Sequence, residues 1–317
     1  MLLHREKFFM KQKFWGCVSM VLATVIWGFA FSAQSSGMAY MGPVTFTALR
    51  SVIAVFSLAL LILILDLCRG KGVSFWGGLS SKEEKFFLLR GGLFCGLAIT
   101  AASICQQWGL RYISAGKTGF LTALYIVIVP VLGIAFKRKT AFPLWLGVIL
   151  ALGGSYLLCG SVSGFGPGEM LVIGCAFLYS IHILVIDHYA PHCVCVRLSC
   201  MQFIVTTILS VLLSLSAGEV WSMEGICKGM KYLLFCGAGS SAVAFTLQMI
   251  CQKYVHPAAA SLLMSLESVF AVLGGYLFLG ERLSLRELLG CAVILGAILI
   301  SQIPVRRKKE VLQEVQH

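Results

Sequence analysis

Apolar residues in this chain neither alternate nor recur on one narrow face. They run on in stretches of about twenty, each bounded by charged or turn residues. A bilayer core of about 30 Å needs roughly 20 mostly apolar residues per helix. Ten windows qualify: Phe14–Ala33, Val44–Leu65, Phe86–Gln106, Ala115–Phe136, Ala141–Gly160, Glu169–Ile186, Val196–Leu215, Tyr232–Cys251, Ala258–Leu279 and Leu285–Ile303. A transmembrane β-barrel would instead show alternating segments of ~10 residues. The first window follows basic residues, as a secretory signal does, but it is too long, lacks a clear small-residue cleavage site and precedes nine further windows. The pattern predicts an all-α integral membrane protein with ten transmembrane helices.

The windows also repeat. Displaced by 142 positions, Gln106 falls on Gln248, Tyr112 on Tyr254, Leu124 on Leu266 and Gly133 on Gly275; displaced by 143, Gly147 meets Gly290 and Gly153 meets Gly296. Leu and Val coincidences carry little weight in so apolar a chain, so the Gln, Tyr and Gly pairs and the shared helix order carry the reading. Two five-helix repeats follow, residues 14–160 and 169–303. Five is odd, so the second repeat enters the membrane from the opposite side, and the repeats are inverted. Inverted repeats are a common plan of secondary transporters, with a site near the bilayer midplane between the halves.

Composition agrees: 59% of the 317 residues are hydrophobic, 12% are charged, and the mean hydropathy is +0.91. No soluble domain fits between the windows. The net charge of +12 calls for no nucleic acid, because it is unevenly distributed across the membrane. With ten crossings, eighteen of the 25 Lys and Arg residues fall on the side that holds both termini. The excess of basic residues on cytoplasmic loops therefore places both termini in the cytoplasm, in a multi-pass protein of the cell membrane. Thirteen cysteines are scattered, mostly inside the windows, where a thiol behaves as a small hydrophobe. One cluster, His188, His192, Cys193, Cys195 and Cys200, brings soft ligands together, but its spacing matches no standard zinc pattern, and reduced thiols are the simpler reading. No metal and no cofactor is expected.

Three stretches carry a resemblance: "GPVTFTALRSVIAV" (Gly42–Val55), "YISAGKTGFLTALYIVIVPVLG" (Tyr112–Gly133) and "HPAAASLLMSLESVFAVLGGYLFLGERLSLRELLGCAVILGAILI" (His256–Ile300). On these the chain resembles the drug/metabolite transporter superfamily, with its paired EamA-type domains. The resemblance covers nearly the whole chain and implies ten helices, internal duplication and cytoplasmic termini. It also implies transport of amino acids, other metabolites or drug-like amines, and it does not single out one of them. Two departures stand out. Ser268 stands where many members carry a proline, so no helix break is called for beside Glu267. The first half also has "FKRKT" (Phe136–Thr140) where the second has "LGERL" (Leu279–Leu283).

Glu267 is the residue that most demands explanation. A charged acid at mid-bilayer costs about 2.5–3.5 kcal/mol on insertion scales, so it faces protein or water rather than lipid. Ala260, Met264, Glu267, Ala271 and Gly274 share one helical stripe, largely of small residues, suited to close packing or to a ligand. Such an acid hydrogen-bonds another helix, exchanges a proton or pairs with a substrate amine. Tyr125 is its repeat mate and is placed near the midplane on the opposite half. Trp27 lies well inside its window, away from the interfacial belt, as a cavity wall would. His182, deep in a span, is a second candidate for proton exchange. Gln248 and its mate Gln106 serve as ligand contacts or as polar packing between helices. Arg50 and Lys117 lie within a turn or two of the outer surface, where long cations snorkel or attract anions.

No phosphate-binding loop, GxSxG, HExxH or kinase signature is present. The expectation is a secondary active transporter of a small organic metabolite, an exporter or exchanger working by alternating access, with protons as a coupling ion and no enzymatic activity. An integral-membrane lipid-modifying enzyme would need a polar catalytic cluster at an interface, and none stands out. A channel or lipid-moving protein would favour polar rings or a lateral opening.

Overall fold

The structure, a computed structural model, describes residues 2–70, 74–76, 79, 81–135, 142–159, 166–279 and 284–301. Phe136–Thr140, the residues of Leu279–Leu283 after Leu279, and the basic Arg306–Lys309 lie outside the described residues. In chain order the helices are α1 (Leu2–Gly37), α2 (Pro43–Cys68), α3 (Lys82–Gly109), a broken pair α4 (Ala115–Thr122) and α5 (Tyr125–Ala135), α6 (Phe142–Cys159), α7 (Pro167–Tyr189) and α8 (Cys195–Ser216). Then α9 (Met223–Leu234) runs through a π-helical stretch, Phe235–Ala244, into α10 (Phe245–Gln252). A second broken pair, α11 (Pro257–Met264) and α12 (Leu266–Leu279), precedes α13 (Leu285–Ser301).

Among the described residues eight segments are long and apolar enough to cross a membrane, with α4–α5, α9–α10 and α11–α12 each counting as one. The chain is therefore a multi-pass membrane protein. Ten such segments were expected. The two that fall short are α6 and α13, whose apolar parts, Phe142–Leu157 and Leu288–Ser301, span about 25 Å or less at ~1.5 Å per residue. They pack along each other, with α6 also against α4 and α11.

Helices from the two halves of the chain interleave. α1 lies along α12, α10 and the π-helical stretch, α3 lies along α7 and α8, and α2 lies along α8. Glycine faces join the two halves. A methyl group on Gly96 would meet the Val205 side chain at 2.5 Å and the Gln202 carbonyl at 2.9 Å, and one on Gly154 would meet the Gly290 carbonyl at 2.8 Å. At Gly28 the same atom would sit 2.3 Å from Phe270 Cβ and 2.6 Å from the Phe270 carbonyl carbon. Lipid tails are as apolar as Leu, so helices associate in a bilayer through such close contacts and not through hydrophobic exclusion.

α2 is tied to α8 and the turn after it at both ends. At its start, Glu219 accepts hydrogen bonds from Thr45 N (2.6 Å), Thr45 Oγ1 (2.7 Å) and Val44 N (3.2 Å), filling the orphan amides of a helix N-terminus with an anion. Gly42 leaves room for that carboxylate, and Pro43 gives up no needed N–H at the first helical position. At its far end, Arg197 of α8 donates to both Asp66 oxygens (2.7 and 2.8 Å) and to the Ser74 and Phe75 carbonyls. The histidine and cysteine cluster is packing: Phe87 lies against His188, Tyr189 and His192. Burial pushes the Cys193 thiol up to about 11, away from the thiolate that a soft metal needs. Among the described residues no three His, Cys, Asp or Glu side chains converge as a metal ion requires.

Candidate functional site

The two broken helices build the site. Ser268 in place of proline gave no reason for a break, yet the helix stops at Met264 and restarts at Leu266. Ser265 N and Ser268 N bond the carbonyls three residues back, Leu262 and Ser265, at 3.1 Å each, and Ser265 Oγ donates to Leu262 O at 2.6 Å. A serine hydroxyl that competes for the backbone thus tightens one turn, as a proline would have interrupted it. In the first half the break falls between Thr122 and Tyr125, with Leu124 N and Ile126 N again bonded three residues back, at 3.3 and 3.0 Å. Further along α5, Pro130 has no N–H to offer the Ile126 carbonyl. The ends of α4 and α11, Thr122 and Met264, stand 142 positions apart, the repeat offset.

At the breaks the halves touch. Tyr125, the largest fully buried side chain, donates its hydroxyl proton to Glu267 Oε2 at 3.4 Å across those same 142 positions. Equivalent bonds flank it: Gln106 Nε2 reaches Thr122 Oγ1 at 3.2 Å, and its mate Gln248 Nε2 reaches Met264 Sδ at 3.8 Å. Each residue in the second pair sits 142 positions after its counterpart in the first.

Glu267, Tyr125 and Trp27 line one cavity together with Gln106, Thr122 and Met264. It measures about 30 Å³, room for a water molecule or two. The Trp27 indole N–H donates to the Ser240 carbonyl at 3.3 Å, within the π-helical stretch, and its ring meets Phe245 edge-on at 4.9 Å. π-Helical turns displace backbone carbonyls from their usual partners and often occur at functional sites. The stripe expected to turn inward does so: Ala260, Met264, Glu267 and Ala271 are all buried.

His182 and Gln248 are buried but lie outside the cavity lining. His182 Nε2 pairs with Gln202 Oε1 at 3.0 Å, and its ring packs edge-on against Phe245 and Tyr179. Gln248 sits behind Met264, with its Oε1 unpaired. Arg50, read as a cation that snorkels or attracts anions, is 5% exposed, lines the cavity and donates from Nη1 to Gln34 Oε1 at 2.9 Å. Lys117 does not snorkel either: it bonds Glu169 at the start of α7, tying α4 to the second half. Tyr179 and Phe245 complete an aromatic wall that sequence reasoning missed. Nothing in an apolar run separates a cavity aromatic from a core one.

The profile of the EamA-like transporter family matches residues 14–160 and again residues 166–302. The chain belongs to the EamA-like transporter family. It is a membrane transporter, and the family and its relatives carry the names of transporters rather than enzymes. An uncharacterized transporter of Archaeoglobus fulgidus is 28% identical over 91% of this chain and 86% of its own length. The threonine/homoserine exporter RhtA of Escherichia coli is 27% identical over 65% of this chain and 78% of its own. A probable terminal-alkyne amino-acid exporter of Streptantibioticus cattleyicolor is 32% identical over 30% of this chain and 32% of its own. One crystal structure superposes with a TM-score of 0.71 over 94% of this chain and 99% of that one; at 18% identity the likeness concerns the fold.

Proposed function

We propose that this member of the family is a secondary active transporter of a small organic metabolite carrying an amine, working as an exporter or exchanger. Residues 14–160 and 169–303 act as two inverted five-helix repeats, with α6 and α13 as the fifth crossing of each. Both termini lie in the cytoplasm, and the protein resides in the cell membrane. The observation that carries this reading is the Tyr125–Glu267 hydrogen bond: two residues at one repeat position meet across the halves, beside a cavity that both halves line. Residues beside a pseudo-twofold axis meet their own repeat mates, so the contact supports an axis between the halves. The matched flanking pairs, Gln106–Thr122 and Gln248–Met264, support the same axis. A cavity of about 30 Å³ does not hold a metabolite, so loading needs the halves to part on one side, which is alternating access. The relatives named as amino-acid exporters support a small, polar substrate and outward transport.

Glu267 is the coupling residue, with Tyr125, Tyr179 and Arg50 as the polar and charged groups sharing its cavity. Glu267→Gln keeps the shape and removes the exchangeable proton. The Tyr125 bond is long for a hydroxyl donor, so weakening it costs under about 1 kcal/mol and the variant stays folded. In proteoliposomes it loses pH-dependent net flux and retains exchange of labelled substrate at saturating concentration, with a raised KM, because the amide oxygen still accepts a hydrogen bond but carries no charge. A stable Glu267→Gln protein with unchanged flux and an unchanged pH profile would remove Glu267 from the mechanism.

A further inference from the structure

Arg50 is a cation without a counter-charge. It sits two turns inside α2, 5% exposed, and among the described residues the ion pairs join Lys117 to Glu169, Arg197 to Asp66 and Lys228 to Glu224, none reaching Arg50. Its one side-chain hydrogen bond goes to a neutral amide, that of Gln34, whereas a guanidinium carries five N–H donors. Buried charges are otherwise paired, so this one awaits an anion. The acid in the same cavity, Glu267, does not pair with it and takes its hydrogen bond from Tyr125. The cavity thus presents one cation from α2 and one acid from α12, with the aromatic faces of Trp27, Phe31 and Phe245 between the helices.

Resting on the transport reading above, we propose that Arg50 is a specificity residue that binds the carboxylate of a zwitterionic substrate, while Glu267 receives its ammonium group. The planar guanidinium matches a carboxylate with two parallel N–H donors, which a lysine ammonium cannot reproduce. Aromatic faces favour the ammonium end. A substrate with one charge leaves one of the two protein charges buried and unpaired. The site therefore selects for molecules that carry both, the α-amino acids among them. α2 suits this task because its two ends are anchored to α8 and to Glu219, which holds the guanidinium at a set depth.

The test is counterflow in proteoliposomes with matched pairs: L-leucine against isoamylamine, L-phenylalanine against phenethylamine and L-threonine against 1-amino-2-propanol. Wild-type protein is expected to exchange at least one of the amino acids. Arg50→Gln is expected to lose that exchange tenfold or more while amine exchange does not fall, and Arg50→Lys is expected to fall between. Equal losses for acid and amine, or no loss, overturn the assignment. Should Arg50→Gln fail to fold, wild-type protein alone decides: the methyl ester of the transported amino acid is expected to compete at least tenfold more weakly than the free acid, and equal competition overturns the proposal. Wild-type exchange of amines alone overturns the role of Arg50 and leaves the transport reading standing. No exchange of any compound overturns both.

Discussion

Adding one methyl group at Gly28 tests whether the close crossing of α1 and α12 holds the cavity together. In Gly28→Ala the new carbon would lie 2.3 Å from Phe270 Cβ, 2.6 Å from the Phe270 carbonyl carbon and 2.8 Å from Ala271 N. Carbon atoms pack at about 3.5–4.0 Å, so the helices must separate by roughly 1 Å or more. Two of the three contacts are backbone atoms, which no rotamer change relieves. Overpacking of this kind costs about 1–3 kcal/mol, and the backbone contacts put this site near 3. Replacing a helical glycine with alanine returns about 0.5–1 kcal/mol, leaving a net loss of roughly 2. Gly153→Ala is the matched control: nothing lies within 4 Å of the added atom, so only the gain remains. The two variants then differ by about 2.5–3 kcal/mol, or roughly 5–12 °C in melting temperature at ~2–4 °C per kcal/mol. Purified proteins in one detergent, melted under far-UV circular dichroism, give the comparison. Equal melting temperatures for Gly28→Ala and Gly153→Ala would refute the claim that backbone contact sets the α1–α12 distance.

Native cysteines report sidedness: a membrane-impermeant maleimide applied to intact cells is expected to label exposed Cys227, at the start of α9, and to reach exposed Cys68, at the end of α2, only after permeabilisation, the reverse order refuting cytoplasmic termini. Cys193 is expected to stay unlabelled at neutral pH and to react faster as pH rises toward 11, because the thiolate is the reactive form and burial holds its pKa up; rapid labelling at pH 7 would contradict that burial. His182→Gln is expected to leave the pH profile of transport unchanged, since the ring is turned to Gln202 outside the cavity lining, and a shifted profile would return proton coupling to His182.

What the residues determined alone is what depends on local physics. Twenty-residue apolar runs have few stable fates other than crossing a bilayer, so the helical membrane fold was legible, and Glu267 stood out because an acid there is costly anywhere but against protein or water. The 142-position offset was also legible, since a repeat leaves identical residues at fixed spacing, and it made Tyr125 the repeat mate of Glu267; that the two meet in a hydrogen bond came only from the tertiary structure. Which helices neighbour one another was not. Gly91, Gly96 and Gly154 meet α7, α8 and α13 of the other half, partners that only the interleaving of the halves decided. The break at Ser265 escaped the sequence because a serine hydroxyl takes either a helical or a turn-forming bond, and the surrounding packing chooses. Arg50 shows the same limit most clearly. An arginine two turns from a helix end is free to snorkel to water or to stay buried, and its residue type is silent between them. α1, the preceding helix, and α7 and α12, distant in sequence, close a cavity around its guanidinium and so decide its fate.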